Sequence, residues 1–545
     1  MTLPVWNQTW RSATWNALDR PWDVIIIGGG ITGAGVLRAA ARAGLSALLL
    51  EAADFASGTS SRSSKLVHGG LRYLYNRQYD VTRESVRERE WLLKAAPALV
   101  TKSAFTIPVY SSYKVKPRIF GIGIAIYDLF AHKWDHQSLS SSQILRDHPG
   151  LQPARLLGGY RYYDAEVDDS RLVLRVLMEA AASGATALNY ARVESLLRDA
   201  SGRVCGVAVR DCAAQGQGAT FELRSRVVVN ATGPFSDDLR LPLGLPARLR
   251  QLRGSHLVFS ADRFPVSEAL TIFHPRDKRA MFVIPWEGVT MVGTTDIDHD
   301  PAVQCAPEPF CSQTETKYIL EAANALFPSL NLTTADIISS FAGLRPIIRG
   351  SAENPSKESR AHAVWNEHGL ITITGGKLTT FRIMASDALR AVLTALGRRT
   401  AVPPRSSFFN PLPRGMTTPL SPSELTYLSG RYGAATPDLL EAALPDELTN
   451  ISTLPNLWAE LRWAARAEAV NHLDDLLLRR VRLGLLLGEG LRVHMPRVHS
   501  IVQPELNWDD TRWQREEEAY WQVWQACYSA APGGNPQKES EINHA

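Results

Sequence analysis

The sequence predicts an α/β fold built on a parallel sheet, and three observations carry that prediction. The first is the run Asp23-Val-Ile-Ile-Ile-Gly28-Gly-Gly30-Ile-Thr-Gly33-Ala-Gly35. The second is an acid, Glu51, closing the next apolar run, Leu48-Leu-Leu. The third is the return of strand-then-glycine at Arg226-Val-Val-Val-Asn-Ala-Thr-Gly233 and at Leu370-Ile-Thr-Ile-Thr-Gly375.

Each element has a physical reason. Val24 to Ile27 is a short β-branched run, the pattern of a strand buried on both faces. Gly28, Gly30 and Gly33 follow with G-x-G-x-x-G spacing. Gly28 permits a tight turn, Gly30 lets backbone approach a pyrophosphate, and Gly33 lets helix and strand pack closely. Ile31 to Ala43 reads as a helix ended by Gly44. Its N-terminus offers free N–H groups to phosphates. Glu51 is placed to accept hydrogen bonds from a ribose diol. The whole is a βαβ unit of the dinucleotide-binding kind.

Composition narrows the class. The chain has 545 residues, 45% hydrophobic and 21% charged, enough for two to four domains of ordinary globular type. A net charge of +4 is too small to argue for nucleic acid. Five cysteines without a C-x-x-C pair argue against a disulfide framework or a structural zinc site. With no apolar run of about 18 residues and no secretory signal, the expectation is a cytoplasmic protein, able to lie on the inner face of the cytoplasmic membrane.

Along the chain, residues 1–20 form an extension whose Trp6 and Trp10 lie one helical turn apart, to dock on the core or sit in a bilayer interface. Residues 57–72 read as a polar loop, and Glu84 to Lys94 as a charged, exposed helix. Asp169 or Ser170 can cap a helix from about Arg171 to Ser183. Strands are expected around Ala187–Leu197 and Gly206–Arg210. Residues 250–300 alternate as an antiparallel sheet. A long helix follows Gly375 to about Leu396. Residues 402–422 hold six prolines and read as a linker. Helices are expected from Ser423 to about Ser529, the clearest over Leu457–Gly484. Residues 531–545 read as a disordered tail.

The glycine turns also bear on the cofactor. A reduced flavin carries negative charge that a helix N-terminus stabilises. Gly375 to Phe381 reads as such an element, favouring FAD over a nicotinamide cofactor.

Eight segments then occur in order: Gly28–Gly35 with Glu51, Thr59–Tyr73, Val229–Pro234, Arg253–His256, Val283–Trp286, Gly293–Asp296, Gly343–Pro346 and Gly375–Arg382. Together they resemble the FAD-dependent (respiratory, quinone-linked) sn-glycerol-3-phosphate dehydrogenases. The resemblance is strong over residues 22–390 and looser over 423–530. It implies an FAD-binding Rossmann-like (GR2-type) domain, about 21–75, 160–235 and 340–401. It is interleaved with an antiparallel β-sheet substrate domain, about 76–159 and 236–339. An α-helical C-terminal domain occupies 423–530.

The resemblance also implies a site. FAD would lie on Gly28, Gly30, Gly33 and Glu51, on Thr59, Ser60, Ser61, Ser64, Lys65, Leu66 and His68, and on Val193, Ala231 and Gly233. Gly343, Arg345, Gly376, Lys377, Leu378 and Thr379 complete that set. The substrate sn-glycerol 3-phosphate would meet Arg72, Tyr73, His256, Arg345 and Lys377. A dianion needs fixed cations, and Arg72 and Lys377 are assigned mainly to the phosphate. His256 suits a base at neutral pH, with Arg345 holding the hydroxyl. The alternative makes Arg345 the closer partner, with His256 only orienting. Electrons would pass to a membrane quinone.

One local feature agrees with a membrane partner. The basic cluster Lys114-Val-Lys-Pro-Arg118 precedes an apolar stretch, Ile119 to Phe130, too short to span a bilayer. It fits an anionic lipid surface or, equally, a buried helix. A homodimer is compatible with the C-terminal helices. The rival readings are an oxidase passing electrons to oxygen, an amine or amino-acid oxidase on the same fold, and a flavin-binding sensor without turnover.

Overall fold

A computed structural model of the chain describes residues 5–530 except 76–77, 114–116, 214–217, 219, 301–307, 351–360, 400–401, 404–407 and 414. The expected tail at 531–545, residues 114–116 and the Arg118 side chain of the basic cluster, and parts of the Pro-rich linker lie outside the described residues.

The strand Trp22–Ile27 is central to the parallel sheet. Ala47–Leu50 pairs on one side, with Ile25 opposite Leu48, and Thr220–Asn230 on the other, with Ile25 opposite Val228. Thr186–Leu188 adds beyond the first and Leu370–Gly375 beyond the second, both parallel; His362–Glu367 closes that edge antiparallel. Successive side chains face opposite ways. Val24 and Ile26 therefore pack under the helices Ile31–Arg42, Asp169–Ala181 and Phe381–Ala395. Ile25 and Ile27 pack under the hairpin Ala191–Arg198 and Val204–Asp211. Burial on both faces is why the strand reads as one apolar run.

Three of these strands lead into a turn with a positive-φ glycine: Gly28 (109°), Gly233 (60°) and Gly375 (77°). Their carboxyl ends open on a common crevice, where doubly wound sheets bind ligands. The second sheet closes the crevice. Leu249–Ser260 pairs antiparallel with Ile337–Ile348 and Val289–Gly293. The sheet continues through Ala280–Trp286, Ala269–Phe273 and Val100–Tyr110 to Leu156–Val167. One pair within it is parallel, Ala269–Phe273 on Val100–Tyr110.

The C-terminal region is helical: Pro422–Tyr432, Trp458–Ala467, Met495–Leu506 and Asp510–Cys527 are its longest helices. Its apolar side chains, among them Leu477, Leu485 and Trp524, share one core with Trp286, Met291 and Phe341 of the second sheet.

Several expectations are corrected. The helix expected over Leu457–Gly484 is broken. Ala469 takes φ 54°, and the Asp475 carboxylate accepts the Asn471 and His472 N–H groups, starting a new turn. The strand expected over Ala187–Leu197 is two strands, parted at Tyr190 (φ 50°). The charged helix runs Tyr79–Ala95 and is not simply exposed. Glu88 is buried against Arg382 and Arg89 against Asp164.

The N-terminal extension docks on the core. Trp6 is 1% exposed, stacked on Trp10 at 5.3 Å and 5.5 Å from Phe55. Its backbone bridges Ala467 and Ala469. Removing so large a buried ring costs about 3–5 kcal/mol. Trp6→Ala should therefore lower the thermal midpoint clearly in a calorimetric scan; an unchanged midpoint would mean that the extension does not hold the two regions together.

Candidate functional site

The crevice holds a cavity of ≈ 1650 Å³. Its first wall is the glycine turn. A Cβ on Gly28 would lie 2.6 Å from the Ala231 carbonyl oxygen, and one on Gly33 only 1.9 Å from that of Gly28. Gly30 is the N-cap of Ile31–Arg42 and has no side chain to cover the helix end. The Ser60 hydroxyl accepts from the Ile31 N–H at 2.9 Å. The Glu51 carboxylate accepts from the N–H groups of Gly29 (2.6 Å) and Ala53 (2.9 Å), while burial pushes its pKa up. Val193, Ala231 and Gly233 continue this wall.

The second wall carries charge. The Arg345 guanidinium donates to Asp296 (2.9 Å), the Thr295 carbonyl (3.1 Å) and the Thr294 hydroxyl (2.8 Å). It lies across Gly254, where a Cβ would meet it at 2.1 Å. Arg279 holds the same turn through the Thr294 and Thr295 carbonyls and pairs with Asp296 at 3.2 Å. Asp296 has no exposed side-chain surface and so fixes two cations at the cavity. Lys377 lies 3.9 Å over the Tyr73 ring and donates to the Ser85 hydroxyl at 2.6 Å.

Gly343, Gly376, Leu378, Thr379, Thr59, Ser60, Ser64, Leu66, His68 and Tyr73 also line the cavity. Thr59 and Thr379 are tied down by the Leu344 and His68 carbonyls. Gly343 is required because a Cβ there would meet the Arg62 carbonyl oxygen at 2.6 Å. Arg72 lies on the helix Leu71–Tyr75; its side chain is outside the described residues.

Four expected site residues stand behind the wall. Gly33 packs helix on strand. Ser61 presents its carbonyl to Lys65, whose ammonium is fully buried and also bound to Asp169 at 2.9 Å. His256 is 1% exposed, stacked on Phe341 at 4.7 Å, with its Nε2 2.9 Å from the Ser64 hydroxyl. Its Nδ1 meets no partner among the described residues. Burial, then Arg345, then Lys65 hold its pKa well below the ordinary histidine value. Arg279 and Asp296 are the residues the sequence reading left unassigned. A charged residue directly before an apolar strand and an acid directly after one were the available signals.

The comparisons with known proteins agree with this geometry. Residues 23–382 match the family model described as FAD dependent oxidoreductase. Residues 382–513 match the C-terminal domain of alpha-glycerophosphate oxidase. A glycerol-3-phosphate dehydrogenase of Mycobacterium leprae is 36% identical, over 95% of this chain and 92% of its own. The aerobic glycerol-3-phosphate dehydrogenase of Bacillus subtilis is 33% identical, over 90% and 92%. The chain belongs to the FAD-dependent glycerol-3-phosphate dehydrogenase family. The glycerol-3-phosphate dehydrogenase of Bacillus halodurans, solved in complex with FAD, superposes with a TM-score of 0.76 at 29% identity, over 97% of this chain and 99% of that one.

The cofactor is FAD, and the walls fit it. An open helix N-terminus stands at Gly30, an acid stands at Glu51, and a positive-φ turn at Gly375 and Gly376 leads into Phe381–Ala395. Glu51→Ala removes the acceptor that orders the glycine turn. A hydrogen bond to a charged group is worth about 1.5–3 kcal/mol. The Kd for FAD should rise about 10- to 100-fold, read as the fluorescence of flavin released on dilution.

Proposed function

We propose that the protein oxidises sn-glycerol 3-phosphate to dihydroxyacetone phosphate and passes the electrons to a membrane quinone. The observation that carries this reading is the convergence of Arg279, Arg345 and Lys377 on one cavity with the flavin-side turns. A phosphomonoester dianion needs such fixed cations, and guanidinium groups suit it. An amine or amino-acid substrate would not need three. The names of the relatives point the same way.

Bound FAD supplies a hydride acceptor. The chain supplies the rest. Lys377, with Arg72, takes the phosphate. Arg345, held by Asp296, orients the hydroxyl and favours its ionised form. His256 takes the hydroxyl proton through Ser64, which lines the cavity with its hydroxyl 2.9 Å from Nε2. A neutral ring is required for that, and burial keeps it neutral. The acid limb of kcat/KM should therefore lie below the ordinary histidine value of about 6.5. His256→Ala should lower kcat about 10²- to 10⁴-fold with a smaller change in KM. Unchanged turnover would move the base role to another group.

The quinone reading rests on the apolar part of the cavity lining. Ile119, Phe120, Ile122, Ile124 and Ile126 of the helix Pro117–Ala131 line it. Ile124 is buried while Ile119, Ile122 and Leu129 are more than half exposed. One face thus packs on the substrate sheet and the other suits an apolar layer beside anionic headgroups. No described helix is long and apolar enough to cross a membrane.

The deciding measurement is anaerobic addition of sn-glycerol 3-phosphate to the purified flavoprotein. The oxidised flavin band should bleach, then return quickly with a quinone analogue and slowly with oxygen. Fast return with oxygen alone would make it an oxidase. No bleaching would overturn the substrate.

A further inference from the structure

The C-terminal region reaches the back of the cavity wall at several points, and one of them is Arg482. Arg482 stands on the turn between Asp475–Arg480 and Leu483–Leu486, with φ 66° and 1% exposure. Its Nη2 donates to Asp169 Oδ1 (2.7 Å) and to the Ser61 carbonyl (3.1 Å), and its Nη1 to the Leu478 carbonyl (3.1 Å). Asp169 then spreads the contact. Its Oδ2 accepts from both the N–H (3.0 Å) and the hydroxyl (2.7 Å) of Ser63. Its Oδ1 also accepts from Lys65, which returns to the Ser61 carbonyl. Ser61, Ser63 and Lys65 are thus fixed from behind, and Ser64 between them is the residue that meets His256.

The same cluster frames the ring. The Lys65 ammonium lies 4.8 Å from the centre of Phe341, and Phe341 stacks on His256 at an interplanar angle of 11°. The groups around His256 are Ser64 from the loop, Phe341 and Arg345 from one strand, Gly293 from the next, and Lys65.

We infer that Arg482 is a positioning residue of the active site. Through Asp169 and the Ser61 carbonyl it sets the Ser61–Lys65 loop so that the Ser64 hydroxyl points at His256 Nε2. The C-terminal region is then part of the proton-handling geometry rather than a separate cap. This rests on the reading that His256 takes the substrate proton through Ser64.

Arg482→Met is a fair probe because Asp169 keeps Lys65, so no buried carboxylate is left without a cation. Arg462→Met is the control. Arg462 pairs with Glu447 and Glu505 inside the C-terminal region and touches nothing in the loop. Both holoenzymes are assayed with sn-glycerol 3-phosphate for kcat, KM, the pH profile and the visible circular dichroism of the flavin. Small misplacements of reacting groups cost up to about 100-fold in rate. Arg482→Met should lower kcat about 10- to 100-fold, leave KM within about threefold, and displace the acid limb of kcat/KM. Arg462→Met should lower the thermal midpoint and leave those readouts alone.

A cycle with Ser64→Ala separates the causes. If Arg482 acts through Ser64, Arg482→Met should cost little further once Ser64→Ala is present. Additive losses, an equal loss in Arg462→Met, or a wild-type kcat in Arg482→Met would each overturn the proposal. If Ser64→Ala and His256→Ala both leave kcat unchanged, the proton reading itself fails and the proposal falls with it. If only Arg482→Met is silent, the proton reading stands without Arg482.

Discussion

Three buried carboxylates hold the molecule together: Asp54, Asp168 and Asp169, all at most 3% exposed. Each is met by guanidinium groups from the C-terminal region. Asp54 takes Arg479 (2.6 Å) and Arg480 (2.7 Å), Asp168 takes Arg431 (3.1 Å), and Asp169 takes Arg482 (2.7 Å). Burial alone would raise the Asp54 and Asp168 carboxyls; the guanidiniums outweigh it and hold the pKa at about 2. Folding is therefore stabilised by these pairs above the ordinary aspartate value of about 3.9, and that share is lost as pH falls towards 2. Breaking one partner would strand a charge, which costs more than a lost contact. The helical region is bound in register, because a guanidinium tolerates little displacement from its carboxylate.

That constraint shapes the cavity. Asp54 follows Glu51 by three residues, and Asp169 starts the helix under the parallel sheet. Clamping them fixes the loop 52–65, which runs along the cavity from Glu51 to Ser64. The second sheet supplies the opposite wall through Arg345 and Asp296. The strand Leu249–Ser260 connects the two halves, carrying His256 in register with Gly293 on one side and Phe341 on the other. A side chain on Gly293 would strike the His256 ring at 2.3 Å, so the glycine there is what lets the ring lie flat on Phe341.

The parts of this arrangement legible in the sequence are those set by local rules. The Gly28–Gly33 turn, the Glu51 position and the apolar strands follow from spacing and period. The long segments around Thr59, Gly343 and Gly375 pointed to the cavity walls. What was not legible depends on contacts far along the chain. Lys65 sits in a cavity-lining segment, yet its ammonium turns inward because Asp169, 104 residues on, offers a buried carboxylate. His256 was recognisable as a titrating group; its place behind Ser64 depends on pairing between strands. The run Leu457–Gly484 has helical periodicity throughout. It breaks because Asp475 caps a new turn and because Arg479 and Arg480 must both face Asp54 while Arg482 faces Asp169. Tertiary charge pairing overrides local propensity there.

The cavity is lined by both cations and apolar side chains, and the fold explains how one space holds both. The cations Arg279, Arg345 and Lys377 are anchored by Asp296, Ser85 and Tyr73, which belong to the second sheet and the helices beside it. Much of the apolar lining comes from the helix Pro117–Ala131, whose Ile124 and Tyr127 are pinned in the core. The Tyr127 hydroxyl bonds Asp164, which also pairs with Arg89. That buried pair neutralises the Asp164 carboxylate beside this helix.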